Sequence, residues 1–219
     1  MNIFFIRHGD PDYDNDCLTE KGRDEGALLA PRAERLDIDL FYSSPQGRAK
    51  ETASFCMKKD TPLTIHNWLR ELEWGDLKGN AYSTAGPWVK TDNFLKNYHS
   101  YPEGDSWMTH PEIVNDRLVG DVKNRIEQFE TFLEEMGYKR EGQGYLVQTP
   151  SDKNIAFFCH GGITTALVSH MLNIPFWTYV AHFPMAMTGI TKIALDGVKD
   201  EFITAKADFI NDYHHLKDN

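Results

Sequence analysis

Two runs of consecutive apolar residues limit what this chain can fold into. Asn2-Ile3-Phe4-Phe5-Ile6 and Ile155-Ala156-Phe157-Phe158-Cys159 lack polar alternation, so each reads as a strand covered on both faces. Each breaks off at a polar triplet, Arg7-His8-Gly9 and His160-Gly161-Gly162. A third, shorter run at 40–42 closes in Ser43-Ser44-Pro45. Helical patterns separate these runs. One spans about 19–36, with Thr19 as N-cap and Pro31 interrupting or dividing it, and another spans 46–58. A long one starts at Pro111 and runs to Met136 on Val114, Leu118, Val122, Ile126, Phe129 and Leu133, and a last one leaves His160 and ends near Asn173. Residues 63–69, 188–195 and 201–207 read as further strands. Strands alternating with helices predict an α/β fold, a three-layer α/β/α sandwich around a mostly parallel sheet, in one domain over residues 1–219.

Residues 74–110 break the alternation. Gly79, Gly86-Pro87, Pro102 and Gly104 punctuate them, and they carry Trp74, Tyr82, Trp88, Phe94, Tyr98, Tyr101 and Trp107. So long an aromatic-rich connection predicts a lid insertion over about 75–110. Its aromatics serve either as a satellite core or as a substrate-contacting surface.

Ligands of parallel sheets bind outside the carboxyl ends of the strands, where the three polar segments fall. Arg7 and His8 follow the first strand, and Arg48 occupies the first turn of the helix after Ser43-Ser44-Pro45. His160 and Gly161 open a helix whose N–H groups attract anions. Two arginines, two histidines and a helix start suit a phosphate dianion. They do so inside an acidic chain: 23 Lys and Arg against 33 Asp and Glu give −10. That balance disfavours a nucleic-acid partner or an anionic membrane. Cys17, Cys56 and Cys159 are widely spaced, without a CxxC pair, which excludes a disulfide framework or a Cys-based zinc site. With no signal-peptide pattern and no apolar stretch of spanning length, the expected setting is the cytoplasm.

Four segments together resemble the histidine phosphatase superfamily, the phosphoglycerate mutase-like proteins. Phe5-Ile6-Arg7-His8-Gly9 is similar to the RHG signature, and the segment from Ser43 to Ala53 resembles SSPxxRAxxTA. The segment from Leu69 to Gly79 resembles LxExxxGxxxG, and Cys159-His160-Gly161-Gly162 matches the second-histidine motif with Cys where Ser is common. The resemblance implies His8 as nucleophile, forming a phosphohistidine, with Arg7, Arg48, His160 and Gly161 holding phosphate. It places Glu71 as general acid, with its neighbour Glu73 solvated or ion-paired. His8 must then be neutral, with one ring nitrogen donating to a backbone carbonyl, and Arg7 and Arg48 disfavour its imidazolium. No metal and no cofactor are required, since fixed cations take that task. Where many members carry Thr and Asn after RHG, this chain has Pro11 and Asp14, with Asn15 one position late. Asp10, Asp12, Asp14 and Asp16 make that loop acidic, reading as a solvated turn or, functionally, as a repeller of highly phosphorylated ligands or a contact for a cationic part of the substrate.

The expected activity is a metal-independent phosphomonoesterase acting on a small phosphorylated metabolite. The alternatives are a cofactor-dependent phosphoglycerate mutase and a non-catalytic phosphate-binding scaffold. The acidic loop speaks against the mutase, and retention of Arg7, His8, Arg48, Glu71 and His160 speaks against the scaffold.

Overall fold

The computed structural model describes residues 1–80, 88 and 90–217. In chain order they form β1 (Asn2–Arg7), the hairpin of β2 (Pro11–Asp12) and β3 (Cys17–Leu18), α1 (Glu20–Glu34), β4 (Leu40–Ser43), α2 (Gly47–Cys56) and β5 (Leu63–Ile65). Then come α3 (Lys90–Tyr98), α4 (Arg117–Glu135), β6 (Tyr138–Glu141), β7 (Gly144–Val147), β8 (Asn154–Cys159) and α5 (Gly161–Met171). The chain closes with α6 (Phe176–His182), β9 (Ile190–Ala194), β10 (Phe202–Ile203) and β11 (Lys206–Asp212).

The central sheet runs β11-β9-β1-β8-β4-β5. β1, β8, β4 and β5 are mutually parallel, β9 runs antiparallel to β1, and β11 runs antiparallel to β9. The unbroken apolar runs have the expected reason: alternate residues serve two cores. Ile3, Phe5, Ile155 and Phe157 join a cluster with Phe129 of α4 and Ile163 and Leu167 of α5. Phe4, Ile6, Ala156 and Phe158 face the other way, onto Leu29 of α1 and Ala53 of α2. The fold is therefore α/β, with a mostly parallel sheet covered by helices on both sides.

Several elements differ from the sequence reading. Pro31 does not divide α1; it sits in the last turns, and Ala27, whose carbonyl loses its partner, is exposed. Strand 63–69 stops at Ile65, because Trp68 and Leu69 turn into the core through a 3-10 turn. Pro111 does not start the long helix. Asp116 does, accepting the Leu118 amide at 2.9 Å and, across the chain, that of Gly75 at 3.0 Å. Strand 201–207 is two strands in two sheets, β10 against β7 and β11 against β9. The β6–β7 hairpin and α6 were not anticipated.

The lid reading divides. Tyr82 and Gly86-Pro87 lie outside the described residues. The remainder is not irregular throughout, because it contains α3 and a 3-10 helix at Gly104–Thr109. Phe94 and Trp107 are buried and pack on Trp177 and Phe176 of α6, with ring centroids 5.1 and 5.0 Å apart. These two aromatics are not a satellite core but part of the same core as Phe5 and Phe157, because α6 links them to it, whereas Trp74 and Trp88 line a crevice.

Asp116 both caps α4 and ties down the Gly75 turn, so Asp116→Ala should lower unfolding stability by about 1–3 kcal/mol in urea titrations. Pro111→Ala, at an exposed site outside the helix, should leave the midpoint unchanged.

Candidate active site

Strand order brings the three polar segments together. β8 lies between β1 and β4, with Cys159 opposite Arg7 and Phe158 opposite Ser43, so all three strands end at one rim. A crevice of about 790 Å³ opens there, lined by Arg7, His8, Arg48, Glu71 and Gly161. His160 is fully buried and lies beneath this lining.

His8 is 2% exposed, and its Nδ1 lies 2.7 Å from the carbonyl oxygen of Gly9. Only a protonated Nδ1 makes that bond, which leaves Nε2 with its lone pair. Burial pushes the His8 pKa down to about 3, with Arg48 and Arg7 adding smaller repulsions against the pull of the Gly9 carbonyl. Desolvation, more than the arginines, keeps this imidazole neutral. The His160 ring packs edge-on to His8, centroids 5.0 Å apart, and its pKa is also driven well down by burial. Its Nε2 lies 2.9 Å from Ser44 Oγ, which already accepts the Gln46 amide. Ser44 Oγ is also 3.5 Å from Gln46 Oε1, so the hydroxyl links the His160 ring to the Gln46 side chain.

Among the described residues, Arg7 Nε, Arg48 Nε and His160 Nδ1 are buried without a hydrogen-bond partner. Buried nitrogens normally have partners. Here two guanidinium donors and a ring nitrogen at neighbouring strand ends are left free, while another atom of each side chain is anchored. Arg7 Nη1 donates to the Met185 carbonyl, and Arg48 Nη1 donates to Asp16 at 2.6 Å.

Asp16 is a residue that sequence reasoning undervalued. Its carboxylate holds Arg48 and also accepts the Gly47 amide at 2.6 Å, from a left-handed backbone with φ of 48°. A methyl on Gly47 would lie 1.9 Å from the Asp16 carbonyl oxygen, so glycine permits this approach. The solvated-turn reading fits Asp12, which accepts the amides of Asp14 and Asn15. It fails for Asp16 and for Asp10, which accepts from the Thr19 hydroxyl at 2.7 Å. Asn15 points into the turn, donating to Asp12 at 2.8 Å. Gln46 was also missed: it accepts the Glu71 amide at 2.9 Å and so joins the Arg48 and Glu71 segments.

The helix start does hold a carboxyl group, and it is the protein's own Glu71. Its carboxylate accepts the amides of Gly162 at 3.1 Å, Ile163 at 3.0 Å and Leu72 at 2.9 Å. These amides are therefore not free for phosphate. A methyl on Gly162 would sit 2.5 Å from Glu71 Oε1, so glycine is needed for the carboxylate to reach the helix. Gly161 remains in the crevice wall, where a methyl would lie 3.6 Å from Arg7 Nε. Glu73 is largely exposed and 3.7 Å from Arg117, the ion-paired place expected of it. No group of three His, Cys, Asp or Glu side chains suited to a metal occurs among the described residues.

The family model for the histidine phosphatase superfamily (branch 1) matches residues 3–207. A Schizosaccharomyces pombe protein named "Probable phosphatase" is 27% identical over 82% of this chain and 77% of its own. A "Probable phosphoglycerate mutase" of Escherichia fergusonii is 24% identical over 81% and 77%. The crystal structure of an Entamoeba histolytica phosphoserine phosphatase mutant in complex with phosphoserine covers 98% of both chains at a TM-score of 0.65. At 18% identity that likeness is one of fold. No helix among the described residues is long and apolar enough to cross a membrane.

Two buried neutral histidines have a thermodynamic signature. Once unfolded, each binds a proton below its ordinary pKa of 6.5 that the folded protein refuses, so folding stability falls as pH drops from about 6.5 toward 3. The slope is on the order of 1.4 kcal/mol per pH unit for each histidine. In urea titrations between pH 7 and pH 4, His8→Gln should flatten this dependence by one proton relative to wild type. Parallel curves would mean that His8 titrates normally.

Proposed function

The chain belongs to the histidine phosphatase superfamily (branch 1), and from that premise we propose that it is a metal-independent phosphomonoesterase acting on a small phosphorylated metabolite through a phosphohistidine. The observation that carries this reading is the neutral, buried His8 beside three unpartnered nitrogens, Arg7 Nε, Arg48 Nε and His160 Nδ1. A phosphoryl dianion is the ligand that such a set completes.

In the first step His8 Nε2 attacks phosphorus, the P–N bond forms, and the ester P–O bond breaks. Gly9 holds Nδ1–H through this step and takes up part of the developing positive charge on the ring. Arg7, Arg48 and His160 face the equatorial oxygens, whose charge redistributes in the transition state. Glu71 enters this step as the neutral acid, held in place by the Gly162 and Ile163 amides, and its proton passes to the departing alkoxide, leaving Glu71 ionised. In the second step water attacks phosphorus, Glu71 takes its proton, and the P–N bond breaks to restore neutral His8. The fixed guanidinium groups neutralise the phosphoryl charge in place of a metal.

His8→Ala should abolish turnover and acid-labile, base-stable phosphoenzyme labelling while leaving the fold intact. Wild-type labelling should persist in EDTA, and activity lost to chelation and restored by one divalent metal would overturn metal independence. Incubation with 3-phosphoglycerate and 2,3-bisphosphoglycerate separates the two activities: the phosphatase releases phosphate and the mutase isomerises.

Glu71→Gln should slow the phosphorylation step by about 10²-fold or more for an alkyl phosphate, whose leaving group needs the proton. For p-nitrophenyl phosphate, read by its burst, the loss should be smaller. Glu73→Gln should cost little for either substrate. Equal losses in Glu71→Gln, with the leaving-group dependence in Glu73→Gln, would assign the acid to the other carboxylate.

A further inference from the structure

The C-terminal segment reaches the nucleophile through one residue. Thr188 is fully buried and adopts a left-handed backbone with φ of 52°, a genuine outlier for a β-branched side chain. Such a conformation persists only where its surroundings impose it. Two contacts do so. The Thr188 amide donates to the His8 carbonyl at 3.3 Å, and Thr188 Oγ1 lies 2.9 Å from Nε2 of His215, in the 3-10 turn His214–Leu216.

The loop around Thr188 is also the backing of the Arg7–His8 pair. The Gly189 carbonyl accepts the Arg7 amide at 3.1 Å, and the Met185 carbonyl accepts Arg7 Nη1. On its far side the loop is pinned to the tail a second time, by the Ala186 amide donating to Asn211 Oδ1 at 2.7 Å. The tail is itself anchored, because Asp212 accepts from Arg32 Nε at 3.2 Å and Nη2 at 3.0 Å. His8, the loop at 185–189 and the tail thus form one continuous hydrogen-bonded stack. Nothing in the chemistry proposed above uses Thr188 or His215.

We infer that His215 is a positioning residue for the reaction: it holds Thr188 in its left-handed conformation, and Thr188 in turn sets the main chain of His8. This rests on His8 being the nucleophile. The consequence falls on attack geometry, since His215 contacts Thr188, which meets the His8 carbonyl and lies outside the crevice lining.

The test is a double-mutant cycle on the full-length enzyme with His215→Phe, Thr188→Val and the pair, plus Thr188→Ser, which keeps the hydroxyl. Three quantities are read: the rate of phosphoenzyme formation per titrated active site, KM for p-nitrophenyl phosphate, and Tm. Each of His215→Phe and Thr188→Val should slow phosphoenzyme formation about tenfold with KM within about twofold of wild type. The double variant should be no slower than the worse single, and Thr188→Ser should stay near wild type. Formation rates near wild type in both singles, or multiplicative losses in the pair, overturn the inference, as does a loss seen in Tm alone. If Thr188→Val does not fold, His215→Phe and Thr188→Ser carry the same decision, because His215 lies on the tail outside both cores. A wild type that labels normally while the variants match it removes only this inference. A wild type that never labels removes the nucleophile reading and this inference with it.

Discussion

The parallel pairing of β1, β8 and β4 is the constraint on which the rest depends. Its register sets Arg7 beside Cys159 and Ser43 beside Phe158, so the residues following each strand emerge at one rim within a few ångströms of each other. The apolar runs enforce this pairing. A one-residue slip would turn Phe5 and Phe157 from one core into the other, where Leu29 and Ala53 fill the space. A catalytic geometry is thereby tied to two hydrophobic cores, and neither can shift without the other.

Burial at that rim has an electrostatic consequence. Two histidines and three arginines, Arg7, Arg48 and Arg70, collect there in a chain of net charge −10. The histidines stay neutral through desolvation. Arg48 is held by Asp16 on one nitrogen only, and Arg7 by a carbonyl on one nitrogen only. Glu71, the carboxylate nearest the helix start, is tethered by backbone amides and not by a guanidinium. Arg7 and Arg48 each retain a free, buried donor. The arrangement is preorganised for an anion at the cost of leaving those donors without partners.

Much of this was legible in the residues. The uninterrupted runs at 2–6 and 155–159 required two-sided burial, and the polar triplets closing them marked the rim. Arg7, His8, Arg48 and Gly161 line one crevice as their strand-end positions implied, with His160 beneath them. Thr19 caps α1 as its place before the helical pattern required. Where local signals competed, the stronger tertiary partner decided. Asp116 outweighed Pro111 because a side chain that satisfies both Leu118 and Gly75 does more than a fixed φ. Asp16 resembled its neighbours in a turn until Gly47 let its carboxylate meet Arg48.

Hydrophobic period and residue type alone set the strands β1 and β8, their two-sided burial and the chemical identity of the groups at their ends. Which donors remain free, which amides Glu71 occupies and which carboxylate faces Arg48 were decided only by tertiary structure. Each is a question of distance between segments dozens of residues apart. Residues 7, 48, 71 and 160 become neighbours through strand order and register, and no local pattern records whether a given nitrogen finds a partner once they meet.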